Sequence, residues 1–214
     1  SKAHQNPAFY MDVLKNKCKY QNIIVDTYWN PGSDNGRPEL FTPSFRLDLF
    51  FLGYKKGLRN HDGVSLEERF GEFPDNLPDY VEWVRTWIIR KKNAGCVALK
   101  IALAYERDLH FEQVTQEQAE RVFRVKESDI TQEDIRYFQN YLFWKICEIA
   151  AELSLPLQCH TGMGQITNTN ILQLNDVIKS NPETKFVLLH CGFPWLDDLF
   201  PMVDGYQNVY PDLT

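Results

Sequence analysis

The chain has 214 residues, enough for one large domain or two small ones, and its 29 acidic residues against 23 basic ones leave a formal charge of −6. That balance argues against a nucleic-acid groove, which needs a surplus of Lys and Arg facing phosphates. Apolar residues at 43 % and aromatic residues at 14 % provide for a packed core rather than disorder. No apolar run approaches the roughly eighteen residues that would cross a bilayer. The opening SKAHQNPAFY lacks the basic-then-apolar pattern of a secretory leader. Five cysteines, odd in number and without a CxxC pair, read as small buried hydrophobes kept reduced in a cytoplasmic setting rather than as a disulfide framework.

Taken in chain order, Asn22–Tyr28 (NIIVDTY) is a β-branched run that reads as a strand, and Phe45–Leu52 (FRLDLFFL) is a second candidate strand. Pro31–Pro43, with three prolines and two glycines, is expected to be the loop between them. Ser65 to Glu68 has the spacing of a capping box and opens a short helix. From Pro78 the positions Val81, Val84, Trp87 and Ile88 follow helical spacing, with Arg90, Lys91 and Lys92 in the last turn and Gly95 at the stop. Cys96–Ile101 (CVALKI) reads as a buried strand interrupted by one lysine. Thr131 can cap a long helix whose Ile135, Phe138, Leu142, Ile146, Ile149 and Leu153 form one apolar stripe, ended by Pro156. Leu157–His160 is a short strand, Ile171–Ser180 a helix, Phe186–His190 a strand closing on a histidine, and Leu196–Val203 a short helical stretch. Asn208–Thr214 begins one more strand.

Buried strands alternating with helices mean a parallel sheet and an α/β fold. About six strands are visible where a closed eight-stranded barrel takes about 250 residues. The chain also opens without a methionine and stops inside a strand. The expectation is therefore a TIM-like (β/α)8 barrel present as an incomplete central portion, with residues 1–214 forming a single, truncated domain.

Of five histidines, His4, His61 and His110 lie in polar surroundings and read as solvated surface. His160 and His190 each end a buried strand, each precedes a glycine-containing turn (HTG and HCG), and they lie one strand–helix repeat apart. That spacing puts both imidazoles at the same end of neighbouring strands, the C-terminal edge where barrel active sites form. Imidazole is also the commonest metal ligand, although a histidine at such a place can merely hydrogen-bond a loop. Lys100, within VALKIAL, must pair, snorkel or be modified, since an unpaired buried charge is costly. Its readings are a salt bridge to substrate, a base of lowered pKa, a carbamylated lysine bridging metals, or a partner for a carboxylate on a neighbouring strand. Beyond that strand, Tyr105 and Arg107 are candidate substrate contacts. The arginine suits a substrate carboxylate or a tie between loop and helix. Trp29 and Asp26, at the end of the first strand, either line a pocket or pack. Phe193-Pro194-Trp195 is either a rigid active-site loop or a helix start.

The run CVALKIALAYERDL, followed by LPLQCHTGMG, KFVLLHCGFPW and NVYPDLT, resembles the amidohydrolase superfamily, in particular its amidohydrolase-related branch of metal-dependent hydrolases and non-oxidative decarboxylases. The resemblance spans most of the chain from about Leu77, with uronate isomerases as more distant relatives. It implies a distorted TIM barrel with a divalent metal, zinc in the first instance, at the strand C-termini. On that pattern His160 is a metal ligand, and His190 is a second-metal ligand or the acid/base beside a single metal. Lys100 takes the place where some members carry a carbamylated lysine. The family's first-strand HxH pair and eighth-strand aspartate have no counterpart here, and Asp212, on the seventh strand by this count, does not take the aspartate's role. A polypeptide ending at these bounds is expected to bind metal poorly and to be inactive alone.

The resemblance implies hydrolysis of a C–N or C–O bond in a small carbonyl substrate, with catalytic His190 and Lys100 and metal on His160 and His190; the residues themselves offer substrate contacts at Tyr105, Arg107 and Trp29. Decarboxylation of a small unsaturated or aromatic acid, its carboxylate held by Arg107, is one alternative. A metal-free small-molecule binding module is another. The expected partner is a small molecule, with no nucleic acid or membrane, and a homo-oligomer is left open.

Overall fold

The computed structural model describes residues 7–214, so the expectation for His4 lies outside the described residues. Six strands, β1 (Ile23–Val25), β2 (Phe41–Arg46), β3 (Ala98–Ile101), β4 (Leu157–His160), β5 (Phe186–Leu189) and β6 (Val209–Pro211), form one parallel sheet in chain order. Every neighbouring pair is parallel, and the sheet curls into part of a barrel wall, as expected. A short helix α1 (Pro7–Asp12) precedes it, and α2 (Leu66–Phe70), α3 (Leu77–Asn93), α4 (Gln116–Arg124), α5 (Gln132–Glu152), α6 (Asn175–Ser180) and α7 (Leu196–Gly205) fill the connections.

The helix starts follow local chemistry. Ser65 and Glu68 form the expected capping box on α2, and Thr131 with Asp134 forms one on α5. Thr115 and Gln118 form a third on α4, a helix whose T-x-x-Q start is plain in the sequence although the apolar pattern alone does not announce it. Along α5, Phe138, Leu142, Ile146 and Ile149 are buried against the sheet, while Ile135 and Leu153 close the stripe half-buried at its ends. They meet Phe45, Leu99, Ile101, Leu157, Phe186 and Leu188 from the strands in one continuous apolar cluster. Each such side chain contributes about 1.5–3 kcal/mol relative to exposure.

The second strand is displaced from its expected place. Phe45–Leu52 was expected to be extended, but β2 ends at Arg46 and Asp48–Leu52 is a turn of 3-10 helix. Two tertiary bonds bend the chain there: Leu47 N donates to the Lys100 carbonyl at 2.9 Å, and the Asp48 carboxylate accepts Ala102 N at 2.6 Å. The apolar run is thereby turned into the core, where Leu49, Phe50 and Phe51 are buried. The strand instead begins inside the proline-rich stretch. Pro43 donates nothing to the ladder, yet its carbonyl accepts Val97 N at 3.1 Å. The 171–180 segment is also divided, into a 3-10 turn at Ile171–Leu174 and then α6. Trp195 stands at the N-cap position of α7 without a side-chain capping bond, so Phe193-Pro194-Trp195 leads into a helix. All five cysteines are free thiols. No helix among the described residues is long and apolar enough to cross a membrane.

Candidate functional site

Side chains alternate across a strand, so residues two apart share a face. Phe45, Leu99, Ile101, Leu157 and Cys159 belong to the apolar cluster under the helices. The alternate positions, Ser44 and Arg46 on β2, Lys100 on β3, Gln158 and His160 on β4, therefore line the opposite, concave face. Register sets Arg46 beside Lys100 and Lys100 beside Gln158, with His160 one repeat nearer the C-terminal edge. His160 pairs with Leu189, and His190 follows directly.

The two histidines expected to converge do so. His160 Nδ1 and His190 Nε2 are 3.2 Å apart, and the ring centroids are 4.5 Å apart. The outer nitrogen of each ring meets a backbone carbonyl: His160 Nε2 that of Met163 at 2.5 Å, His190 Nδ1 that of Thr214. A carbonyl only accepts, so these nitrogens carry the ring protons. Burial, reinforced by the Lys100 cation, lowers the His160 pKa to about 4, so this ring is neutral at pH 7 and aims a lone pair at His190.

The backbone under this pair is unusual. His190, Cys191 and Gly192 all have positive φ, at 61°, 49° and 68°. For the two side-chain-bearing residues this costs about 1–2 kcal/mol each. The HTG turn is locked against the HCG turn. Gly162, at φ +72°, lies so close to Phe193 that a Cβ would sit 1.9 Å from its carbonyl oxygen. Thr161 Oγ1 donates to the Leu189 carbonyl at 2.6 Å.

Below the histidines sits a cluster of two acids and two cations. Arg46 Nε is 3.1 Å from an Asp48 oxygen and 3.4 Å from an Asp26 oxygen, and its guanidinium lies 4.4 Å from the Tyr28 ring centroid. Lys100 is 4 % exposed and forms no ion pair among the described residues. Burial lowers its pKa, with Asp26 and Asp48 opposing that shift and Arg46 adding to it. Burial also raises the Asp48 pKa to about 6, against the pull of Arg46, the Ala102 N–H and Lys100.

Tyr105 packs on the pair, its ring centroid 4.6 Å from that of His160. Trp29 is exposed beside Tyr28 and lines a small pocket with Arg46, Asp48, Asn60 and Arg69. Arg107, expected as a candidate substrate contact, has its guanidinium engaged within the fold. Its side chain is 9 % exposed, and its guanidinium donates to Gln139 at 3.1 Å, Asn140 at 3.0 Å and the His110 carbonyl at 2.8 Å. It also lies 4.5 Å from the Phe111 ring centroid. The guanidinium ties the loop after β3 to α5, the alternative role the sequence left open. Arg46, Asp48 and Glu106 escaped notice in the sequence, and His61 was read only as solvated surface. Arg46 and Asp48 were hidden in a run read as a continuous strand.

A divalent ion would find two suitable donors here. Metal-bound histidines hold one nitrogen on a carbonyl or carboxylate and ligate with the other. Two nitrogens bound at about 2.0–2.1 Å to a tetrahedral zinc ion lie roughly 3.3 Å apart, close to the separation of these two. His160 and His190 thus fit as ligands, while the described residues bring no third His, Cys, Asp or Glu to complete a cluster. The Asp212 carboxylate instead accepts Thr214 N at 2.8 Å.

A sequence model of the amidohydrolase family matches residues 66–214, a span that contains Lys100, Tyr105, His160 and His190. Protein fluG of Emericella nidulans is 39 % identical over 62 residues, 27 % of this chain and 7 % of that protein. Among solved structures, a Lactobacillus casei protein assigned as a metal-dependent hydrolase superposes with a TM-score of 0.74 at 20 % identity, over 97 % of this chain and 55 % of its own. A uronate isomerase from Thermotoga maritima gives 0.59 at 18 % identity, over 89 % and 48 %. A glucuronate isomerase from Caulobacter crescentus gives 0.60 at 12 % identity, over 98 % and 50 %. At these identities the likeness is one of fold, and the chain spans about half the length of each solved relative.

Proposed function

The chain belongs to the amidohydrolase family, matched over residues 66–214, and from that premise we propose that it carries the strand-end site of a metal-dependent hydrolase acting on a C–N or C–O bond of a small carbonyl substrate. The observation that carries this reading is the pair of imidazole nitrogens 3.2 Å apart, each ring held by a carbonyl on its far side. A divalent ion such as zinc, when bound, supplies Lewis acidity and a nucleophile at neutral pH. His160 and His190 are the residues that would hold it. In the single-metal variant of the reading, His190 instead takes or gives a proton at Nε2, its tautomer fixed by the Thr214 carbonyl at Nδ1.

Lys100 contributes a buried cation below the histidines, where negative charge develops on a substrate oxygen during acyl transfer. Tyr105 walls one side of the mouth against water, and Trp29 with Tyr28 walls the other. The decarboxylation alternative relied on Arg107 for the substrate carboxylate, and that guanidinium is engaged with α5.

The test is zinc analysis of the complete gene product purified without chelators, together with a screen of amide, lactone and ester substrates. One or two equivalents of zinc and a hydrolysed substrate are expected, both lost in His160→Ala. No zinc after reconstitution, or full activity in His160→Ala, overturns the assignment. Release of CO₂ from an acid in place of hydrolysis overturns the reaction class.

A further inference from the structure

On the far side of Tyr105 from His160 stands His61, in the segment between the 3-10 turn and α2. Its ring is exposed but fully engaged. Nδ1 meets the Glu106 carboxylate, and its backbone N–H donates to the same oxygen at 3.2 Å. Nε2 lies 3.0 Å from an Asp62 oxygen and 3.3 Å from the Tyr28 hydroxyl. The two loops so joined are 45 residues apart in the chain. Glu106 directly follows Tyr105, so anchoring its carboxylate fixes the backbone that carries the tyrosine. The Tyr105 ring then lies between two imidazoles, its centroid 5.9 Å from that of His61 and 4.6 Å from that of His160.

Tyr105 is 42 % exposed, so core packing alone does not hold it over the site. Its backbone is held by the 3-10 turn Leu103–Tyr105, with Tyr105 N on the Ala102 carbonyl at 3.3 Å, and by Gln165 Nε2 donating to its carbonyl at 3.0 Å, so the clasp bears on the direction of the ring. His61 also reaches the opposite wall, because Tyr28 carries its hydroxyl to His61 and its ring to Arg46. One imidazole thus ties together the two aromatic walls of the mouth.

We propose that His61 is a positioning residue for this site: clasped by Glu106, it sets Tyr105 over His160. The proposal rests on reading the His160 pair as the working end of the site, but its test needs neither metal nor substrate. In protein with isotope-labelled histidine, the ring current of Tyr105 displaces the His160 ring-proton resonance, and Tyr105→Leu gives the position without it. His61→Ala and Glu106→Ala are each expected to move the His160 resonance to the Tyr105→Leu position. His61→Asn places an amide donor where Nδ1 sits and is expected to restore the wild-type position. A His160 resonance that stays put in both alanine variants while Tyr105→Leu moves it overturns the proposal. So does a resonance that Tyr105→Leu leaves unmoved. Should His61→Ala fail to fold, Glu106→Ala and His61→Asn decide the matter. A protein that binds no zinc but shows these shifts keeps the clasp and loses the hydrolase reading; one that binds zinc without them does the reverse.

Discussion

Asp48→Asn tests the energetics of the charged cluster under the histidines. The carboxylate titrates at about 6 rather than 3.8 because burial outweighs the help of Arg46, Ala102 N–H and Lys100. The shift is about 2 units, and at 1.36 kcal/mol per unit the ionised form costs the folded state about 3 kcal/mol at neutral pH. The folded state binds this proton more tightly than the unfolded chain does. Stability from this group is therefore complete below pH 3.8, declines as pH rises through about 6, and is level above that. Asparagine keeps the shape and an oxygen to accept Ala102 N but has no charge to ionise. Urea unfolding followed by circular dichroism at pH 4 and pH 7.5 should show the variant gaining on the wild type by about 2.4 kcal/mol between the two conditions, the remainder of the effect having been lost between pH 3.8 and pH 4 and below. A difference that is the same at both pH values, or a wild type that gains on the variant toward pH 7.5, would refute the reasoning.

Gly162→Ala places a methyl 1.9 Å from the Phe193 carbonyl oxygen at a φ of +72°. Strain and overpacking together should cost about 3 kcal/mol and lower the melting temperature by roughly 10 °C, read by calorimetry. Arg107→Ala strips donors from Gln139, Asn140 and the His110 carbonyl and should destabilise the fold by about 3 kcal/mol, with Arg107→Lys recovering only part of it. Unchanged stability in the alanine variant would return Arg107 to the list of substrate contacts. Tyr80→Phe leaves the Phe50 carbonyl without the hydroxyl that now donates to it at 2.6 Å in a buried setting, and should cost about 1–3 kcal/mol by denaturant titration.

The elements legible in the sequence were those whose signals are local. Leu157–His160 and Phe186–His190 end apolar runs abruptly on a histidine, and α5 carries its own cap and stripe. Their pairing follows from the strand–helix repeat, so the convergence of His160 and His190 could be foreseen. The rest depends on contacts made across the fold. The bend at Asp48 exists because a carboxylate accepts an N–H from Ala102, 54 residues away. Nothing in FRLDLFFL announces it, and with it went the placement of Arg46. His61 reads as a surface histidine because the carboxylate that engages it belongs to the loop after β3. The direction of Arg107 was undecidable for the same reason: only the folded chain brings Gln139 and Asn140 within its reach.

The interlock of the HTG and HCG turns bears on how this sequence can change over generations. Gly162 has no room for a side chain because of the Phe193 backbone, and Gly192 has none because Ile171 Cγ2 would stand 2.6 Å from its Cβ. A bulkier residue at 162 is admissible only if the segment at 192–193 retreats, and that retreat carries His190 away from its neighbour. Drift in either turn must therefore be matched in the other and in the 3-10 turn at Ile171. Three segments scattered along the chain are bound to be inherited as one unit.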